Sequence, residues 1–178
     1  MLVKELTDLA MTSKAPDIVI TGGEPMLFPE AVARLCDGLR SWGRHVTIET
    51  NGTIYGDRVM PDLWSVSPKL ESSAPLKPGP EQDLHAKNRG CTATLRRFVE
   101  GGRLQLKYVV ATKKDIEEVE RQVTDLGVAK SKVWLMPEGI TQSVILERGA
   151  WLAEECKSRG YNLALRQHVL LWGHKRGV

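Results

Sequence analysis

Asp17–Ile18–Val19–Ile20–Thr21–Gly22–Gly23–Glu24–Pro25 is the stretch whose reading decides the fold. It opens as a short apolar strand, Asp17 to Thr21, which Gly22–Gly23 stops. From Pro29 to Trp42 the apolar residues Ala31, Val32, Leu35, Cys36 and Leu39 recur at the i, i+3, i+4 spacing of an amphipathic helix. Pro29 suits its first turn and Gly43 its C-terminal cap. The same unit repeats outward in both directions. Residues 2–13 read as the end of a preceding helix. His45–Thr50, Leu63–Ser67, Leu104–Val110, Lys132–Met136 and Tyr161–Leu165 read as further strands. Asp115–Leu126 and Ser143–Arg159 read as helices, with Gly127 and Gly160 just past them as caps. Strands alternating with helices predict an α/β fold, a parallel sheet with helices packed outside it. Residues 71–90 break the rhythm with Pro, Gly, Ser and charge. They are expected to form a long loop, either a lid over a site or a surface excursion.

A chain of 178 residues holds one domain with a sizeable core, and a single domain over 1–178 is expected. Its 42% apolar and 26% charged residues are ordinary for a soluble globular protein. The net charge of +3 is spread along the sequence, so no nucleic-acid partner is expected; His174–Lys175–Arg176 reads as a solvated tail. No run approaches the roughly 20 apolar residues that cross a bilayer, and the first residues do not read as a signal peptide. The expectation is a cytoplasmic protein without membrane contact. The three cysteines, Cys36, Cys91 and Cys156, lie far apart at no metal-binding spacing, so each reads as a reduced, mostly packed thiol.

Ligands of parallel α/β sheets and barrels collect at the C-terminal ends of strands. The residues there share a character: Thr21–Gly22–Gly23–Glu24–Pro25, Glu49–Thr50–Asn51–Gly52–Thr53, Ser67–Pro68–Lys69 and Met136–Pro137–Glu138–Gly139. Paired glycines let a backbone approach a ligand closely. Glu24 offsets an ammonium or is a surface acid. Ser67 offers a hydroxyl and Lys69 a cation for a carboxylate. Met136 suits an aromatic ring, and the backbone beyond it suits ring-edge nitrogens. Each piece taken singly has an ordinary structural explanation: Gly-Gly serves many strand-to-helix turns, and Asn51–Gly52 is a common tight turn. Together they fit a zwitterionic amino acid joined to a nucleoside.

These residues resemble a family. Thr21–Gly22–Gly23–Glu24–Pro25 is similar to the GGEP motif of radical S-adenosylmethionine enzymes. With it stand Ile48–Thr53, Val66–Lys69, Leu106–Val110, Trp134–Gly139 and Gln167–Gly173, and the set resembles the 7-carboxy-7-deazaguanine synthases from about residue 17 onward. The resemblance implies a partial (β/α) barrel with a mainly parallel sheet. It implies ring contraction of 6-carboxy-5,6,7,8-tetrahydropterin with loss of ammonia, as in queuosine biosynthesis, using S-adenosylmethionine, a [4Fe–4S] cluster and Mg2+. It assigns Gly22, Gly23, Glu24, Ser67, Lys69, Met136, Pro137, Glu138 and Gly139 to S-adenosylmethionine, and Thr21, His168 and the Val178 carboxylate to the pterin. A flavodoxin- or ferredoxin-type reductant and a homodimer in the full-length form are implied partners. The family's first strand, its CxxxCxxC loop and a magnesium-binding threonine find no match here. The chain is therefore expected to be an N-terminally truncated form, inactive alone, with no metal ligands of its own. Alternative readings are a split-enzyme or non-catalytic S-adenosylmethionine-binding subunit, a glycyl-radical activase, or a plain phosphate-binding α/β domain.

Overall fold

The computed structural model describes residues 3–89, 91–173 and 175. Its strands are β1 (Asp17–Ile20), β2 (His45–Thr50), β3 (Leu63–Val66), β4 (Leu104–Val110), β5 (Val133–Pro137) and β6 (Asn162–Leu163). The helices are α1 (Val3–Met11), α2 (Pro29–Ser41), α3 (Pro80–Arg89), α4 (Thr92–Glu100), α5 (Lys113–Leu126), α6 (Gln142–Arg159) and α7 (Gln167–Trp172). The strands follow chain order in one open sheet, β1-β2-β3-β4-β5-β6. Among the described residues no helix is long and apolar enough to cross a membrane.

The chain forms two compact units, one of residues 1–67 and 93–105, the other of 68–92 and 106–178. In the first, β1 pairs with β2 and β2 with β3, all parallel, with Ile20 opposite Ile48 and Thr50 opposite Val66. α2 turns Val32, Leu35, Cys36 and Leu39 inward as its spacing predicts, with Ala33 buried beside them and Ala31 only half-buried. A second cluster gathers on β3 and α4: Phe98, fully buried, meets Trp64 edge-on with ring centroids 5.0 Å apart and Tyr55 at 4.8 Å. Such contacts add to area burial, so this corner is a strong anchor.

In the second unit β4 runs beside β5 and β5 beside β6, again parallel, with Val110 opposite Pro137 and Leu135 opposite Leu163. α5 begins in a capping box formed by Thr112 and Asp115 and ends at Gly127 in the left-handed region. α6 buries Ile145, Gly149, Leu152 and Cys156.

Residues 71–89 depart from the loop expected over 71–90. They form a short 3-10 turn at Glu71–Ser73 and the helix α3. α3 starts at Pro80, carries Glu81 and Asp83 in its first turn and Lys87 and Arg89 in its last, and buries no residue. Its support is end charge matched to the helix dipole rather than an apolar stripe, so hydrophobic spacing does not reveal it. Arg89 reaches Glu118 of α5 at 3.6 Å, and Glu118 accepts the Glu71 amide at 3.0 Å. β6 is shorter than the strand expected over 161–165. The Asn162 side chain donates to the Ser131 and Val133 carbonyls, and the chain then turns into α7.

Candidate functional site

In the first unit the candidate residues cluster beyond β1 and β2. Gly22 and Gly23 have φ of +96° and +54°, a region L side chains rarely enter, and neither has a heavy atom within 4 Å of where a Cβ would stand. The turn is thus open to close approach. It is also fixed. The Glu24 carboxylate accepts the Met26 amide at 3.0 Å, the Thr50 hydroxyl at 2.7 Å and the Asn51 amide at 2.7 Å. One side chain therefore caps the following 3-10 turn (Pro25–Leu27) and ties the β1 turn to the end of β2. The surface-acid alternative for Glu24 does not describe this half-buried group.

The β2 turn is organised in the same way. The Asn51 side-chain oxygen accepts both the amide and the hydroxyl of Thr53, at 2.9 and 2.7 Å, and Gly52 donates to the Thr50 hydroxyl at 3.1 Å. Ser67, half-buried, donates its amide to the Thr50 carbonyl at 2.8 Å. Thr21 is exposed, and its hydroxyl donates to Glu49 at 3.1 Å.

Glu49, one of the strand-end residues, also belongs to a row of polar residues along the strands. Along β2, Val46, Ile48 and Thr50 are buried while Thr47 and Glu49 are only half-buried. Along β4, Gln105 and Lys107 alternate with buried Leu104, Leu106 and Tyr108. A parallel strand covered on both faces is apolar throughout. Polar residues at every second position mark a strand face that packs no helix, and this period-two signal is present in the sequence. Gln105 donates to the Ser65 hydroxyl at 3.0 Å, so part of the polar face is already organised.

In the second unit Met136 is half-buried, Pro137 and Gly139 are buried, and Glu138 is exposed. The Glu138 amide continues the ladder to Val110 at 2.9 Å. A Cβ on Gly139 would stand 2.8 Å from Val144 and 3.2 Å from Ile145, so only glycine lets the chain pass α6 here. Two arginines hold the next carbonyls: Arg148 donates to Glu138 O at 2.8 Å and Arg166 to Gly139 O at 2.9 Å. Arg148 also pairs with the Glu138 carboxylate. Neither arginine stands out in the sequence, because their contacts join elements far apart along the chain. Lys69 is exposed, as is His168 on α7, and Val178 lies outside the described residues.

The cysteines do not fit an iron–sulfur centre. Cys36 and Cys156 are buried in α2 and α6, and burial pushes both thiols up to about 11. Cluster ligation needs several thiolates brought together. Among the described residues no group of three or more His, Cys, Asp or Glu stands together as a metal site.

An open parallel sheet, with small and polar residues beyond its strand ends, defines an α/β protein of the partial-barrel class. No protein-family model matches the chain. The chain is 36% identical over 180 residues to the 7-carboxy-7-deazaguanine synthase of Rhodopirellula baltica, matching 99% of this chain and 69% of that protein. It is 40% identical over 170 residues to the synthase of Halobacterium salinarum (89% and 65%) and 30% identical over 184 to that of Pyrobaculum aerophilum (99% and 75%). The crystal structure of QueE from Escherichia coli shares the fold, with a TM-score of 0.63 at 23% identity over 92% of this chain and 63% of that one. The chain belongs to the 7-carboxy-7-deazaguanine synthase family, and it spans about two thirds of the length of these relatives.

Proposed function

We propose that this chain is the part of a 7-carboxy-7-deazaguanine synthase that binds S-adenosylmethionine and the pterin. The observation that carries the reading is the Thr21–Glu24 turn, open at both glycines and fixed by three hydrogen bonds to Glu24. A polar head group needs such a surface: main-chain groups within reach, already held in place, so that binding costs little ordering. Gly22, Gly23 and Glu24 receive the methionine end, Ser67 and Lys69 its polar parts, and Met136, Pro137, Glu138 and Gly139 the adenine. Thr21, with His168 and the Val178 carboxylate, takes the pterin.

A [4Fe–4S] cluster would supply reducing chemistry beside the bound S-adenosylmethionine. The overall reaction turns 6-carboxy-5,6,7,8-tetrahydropterin into 7-carboxy-7-deazaguanine and ammonia, a lyase step toward 7-deazapurines such as queuosine. Since the thiols present do not fit that cluster, this chain's residues bind and orient, and the chain alone does not turn over. The same proposal includes a cytoplasmic setting, a flavodoxin- or ferredoxin-type reductant, Mg2+ assistance and a homodimer at full length.

Calorimetric titration of the purified chain with S-adenosylmethionine tests the reading. One saturable site per chain, indifferent to inorganic phosphate, is expected. A folded chain that ignores S-adenosylmethionine would overturn it, and strong competition by phosphate would favour a plain phosphate-binding domain.

A further inference from the structure

The chain leaves β5 through Pro137–Glu138–Gly139, and two consecutive carbonyls there are held by guanidinium groups from different elements. Arg148 comes from the second turn of α6, ten residues on; Arg166 comes from the residue that begins α7, 27 residues on. The Arg166 bond is the unusual one. Its Nε is buried and finds no hydrogen-bond partner among the described residues. A buried donor left unpaired costs stability, and Arg44 Nε is the other such donor among the described residues; what sets Arg166 apart is its bond to the strand-end carbonyl of Gly139. Arg166 also carries no capping bond of its own at the start of α7; its side chain is committed to Gly139.

The consequence for the strand end is geometric. Glu138 N is fixed to Val110, Gly139 cannot shift toward α6 without meeting Val144, and Gly139 O is fixed by Arg166. The peptide groups of Met136–Gly139 are thereby held in one orientation before any ligand arrives. Recognition of a purine edge by main-chain groups depends on such prior order, because a wandering peptide would surrender affinity on binding.

We propose that Arg166 is a positioning residue for nucleoside recognition, acting through the Gly139 carbonyl on the main chain of Met136–Gly139. The proposal rests on the reading of that segment as the adenine subsite. Arg166→Ala removes the bond. Arg166→Lys retains a charged donor group, and the Gly139 carbonyl takes a single bond from it. Hydrogen exchange of the ligand-free chain, read on peptides covering 136–141, gives the first readout, and calorimetry with S-adenosylhomocysteine the second.

Arg166→Ala should speed exchange of that segment and raise the dissociation constant about tenfold, the size of one charge-assisted hydrogen bond expressed as an equilibrium constant. Arg166→Lys should restore most of both. Unchanged exchange in Arg166→Ala would overturn the proposal, as would weakened binding in a chain whose 136–141 exchange stays native. If the unaltered chain does not bind S-adenosylhomocysteine, the adenine reading falls and this inference with it. If it binds and Arg166→Ala binds equally well, only this inference falls. Should Arg166→Ala fail to fold, Arg166→Gln, which keeps an amide donor and loses the charge, carries the same two measurements.

Discussion

Replacing Glu24 by glutamine should destabilise the first unit well beyond what a surface substitution does. The carboxylate accepts three hydrogen bonds, from Met26 N at 3.0 Å, Thr50 Oγ1 at 2.7 Å and Asn51 N at 2.7 Å. Glutamine offers one acceptor oxygen and one donor nitrogen in the same space. With its oxygen toward Met26 and Thr50, the amide nitrogen faces the Asn51 N–H, donor against donor. With its oxygen toward Asn51, the Met26 N–H loses its acceptor, though the Thr50 hydroxyl can turn to accept. The better orientation still loses one charge-assisted bond, about 1.5–3 kcal/mol, and turns the others neutral. Partial exposure of Glu24 places the total at about 2–3 kcal/mol. For a chain of this length that corresponds to a fall in Tm of roughly 4–12 °C. Thermal unfolding followed by tryptophan fluorescence, with Trp64 buried in the same unit, reads it directly. A fall below about 1 °C would mean that Glu24 is solvated, and that the turn is not held as described.

Asp62 should set part of the acid limb of stability. The Val46 amide bond at 2.9 Å, aided by Arg40, holds its carboxyl below the ordinary carboxylate range. Its stabilising contribution is therefore complete above the unfolded value near pH 4 and is lost as pH falls through the lowered folded value. Asp62→Asn should be less stable than the parent at pH 7, and the gap should close as pH drops below about 4; a gap constant from pH 7 to pH 2 in denaturant titrations would contradict this. Thiol titration at pH 8 should find Cys91 reactive in the folded chain. Cys36 and Cys156, buried with thiols near 11, should react only on unfolding. Rapid native reaction of all three would show that α2 or α6 is not packed as described.

The strands and helices were legible where punctuation and periodicity agree. Gly22–Gly23 ends β1, and of the apolar residues spaced i, i+3, i+4 in α2, Val32, Leu35, Cys36 and Leu39 are buried. β2 and β4 are found over His45–Thr50 and Leu104–Val110, the spans that composition predicts. α3 was illegible because its support is terminal charge and it buries nothing, so it casts no hydrophobic period. In the candidate site the strand-end turns could be read from glycine, proline and asparagine. Glu49 stands among those strand-end residues, whereas Gln105 lies back along β4, where only the alternation of polar and buried residues announces a polar face. Arg148 and Arg166 could not be found this way, since what marks them is a carbonyl that only the tertiary fold brings near.

Product formation tests the account most directly. The part of the Rhodopirellula baltica synthase that this chain does not match would be joined to it, so that the relative supplies what lies outside the shared 69%. The chimera, reconstituted anaerobically with iron, sulfide, S-adenosylmethionine, dithionite and Mg2+, would be given 6-carboxy-5,6,7,8-tetrahydropterin and followed by mass-resolved chromatography. Formation of 7-carboxy-7-deazaguanine by the chimera, and none by this chain alone, is the predicted result. A folded, cluster-loaded chimera that cleaves S-adenosylmethionine yet leaves the pterin untouched would contradict the account.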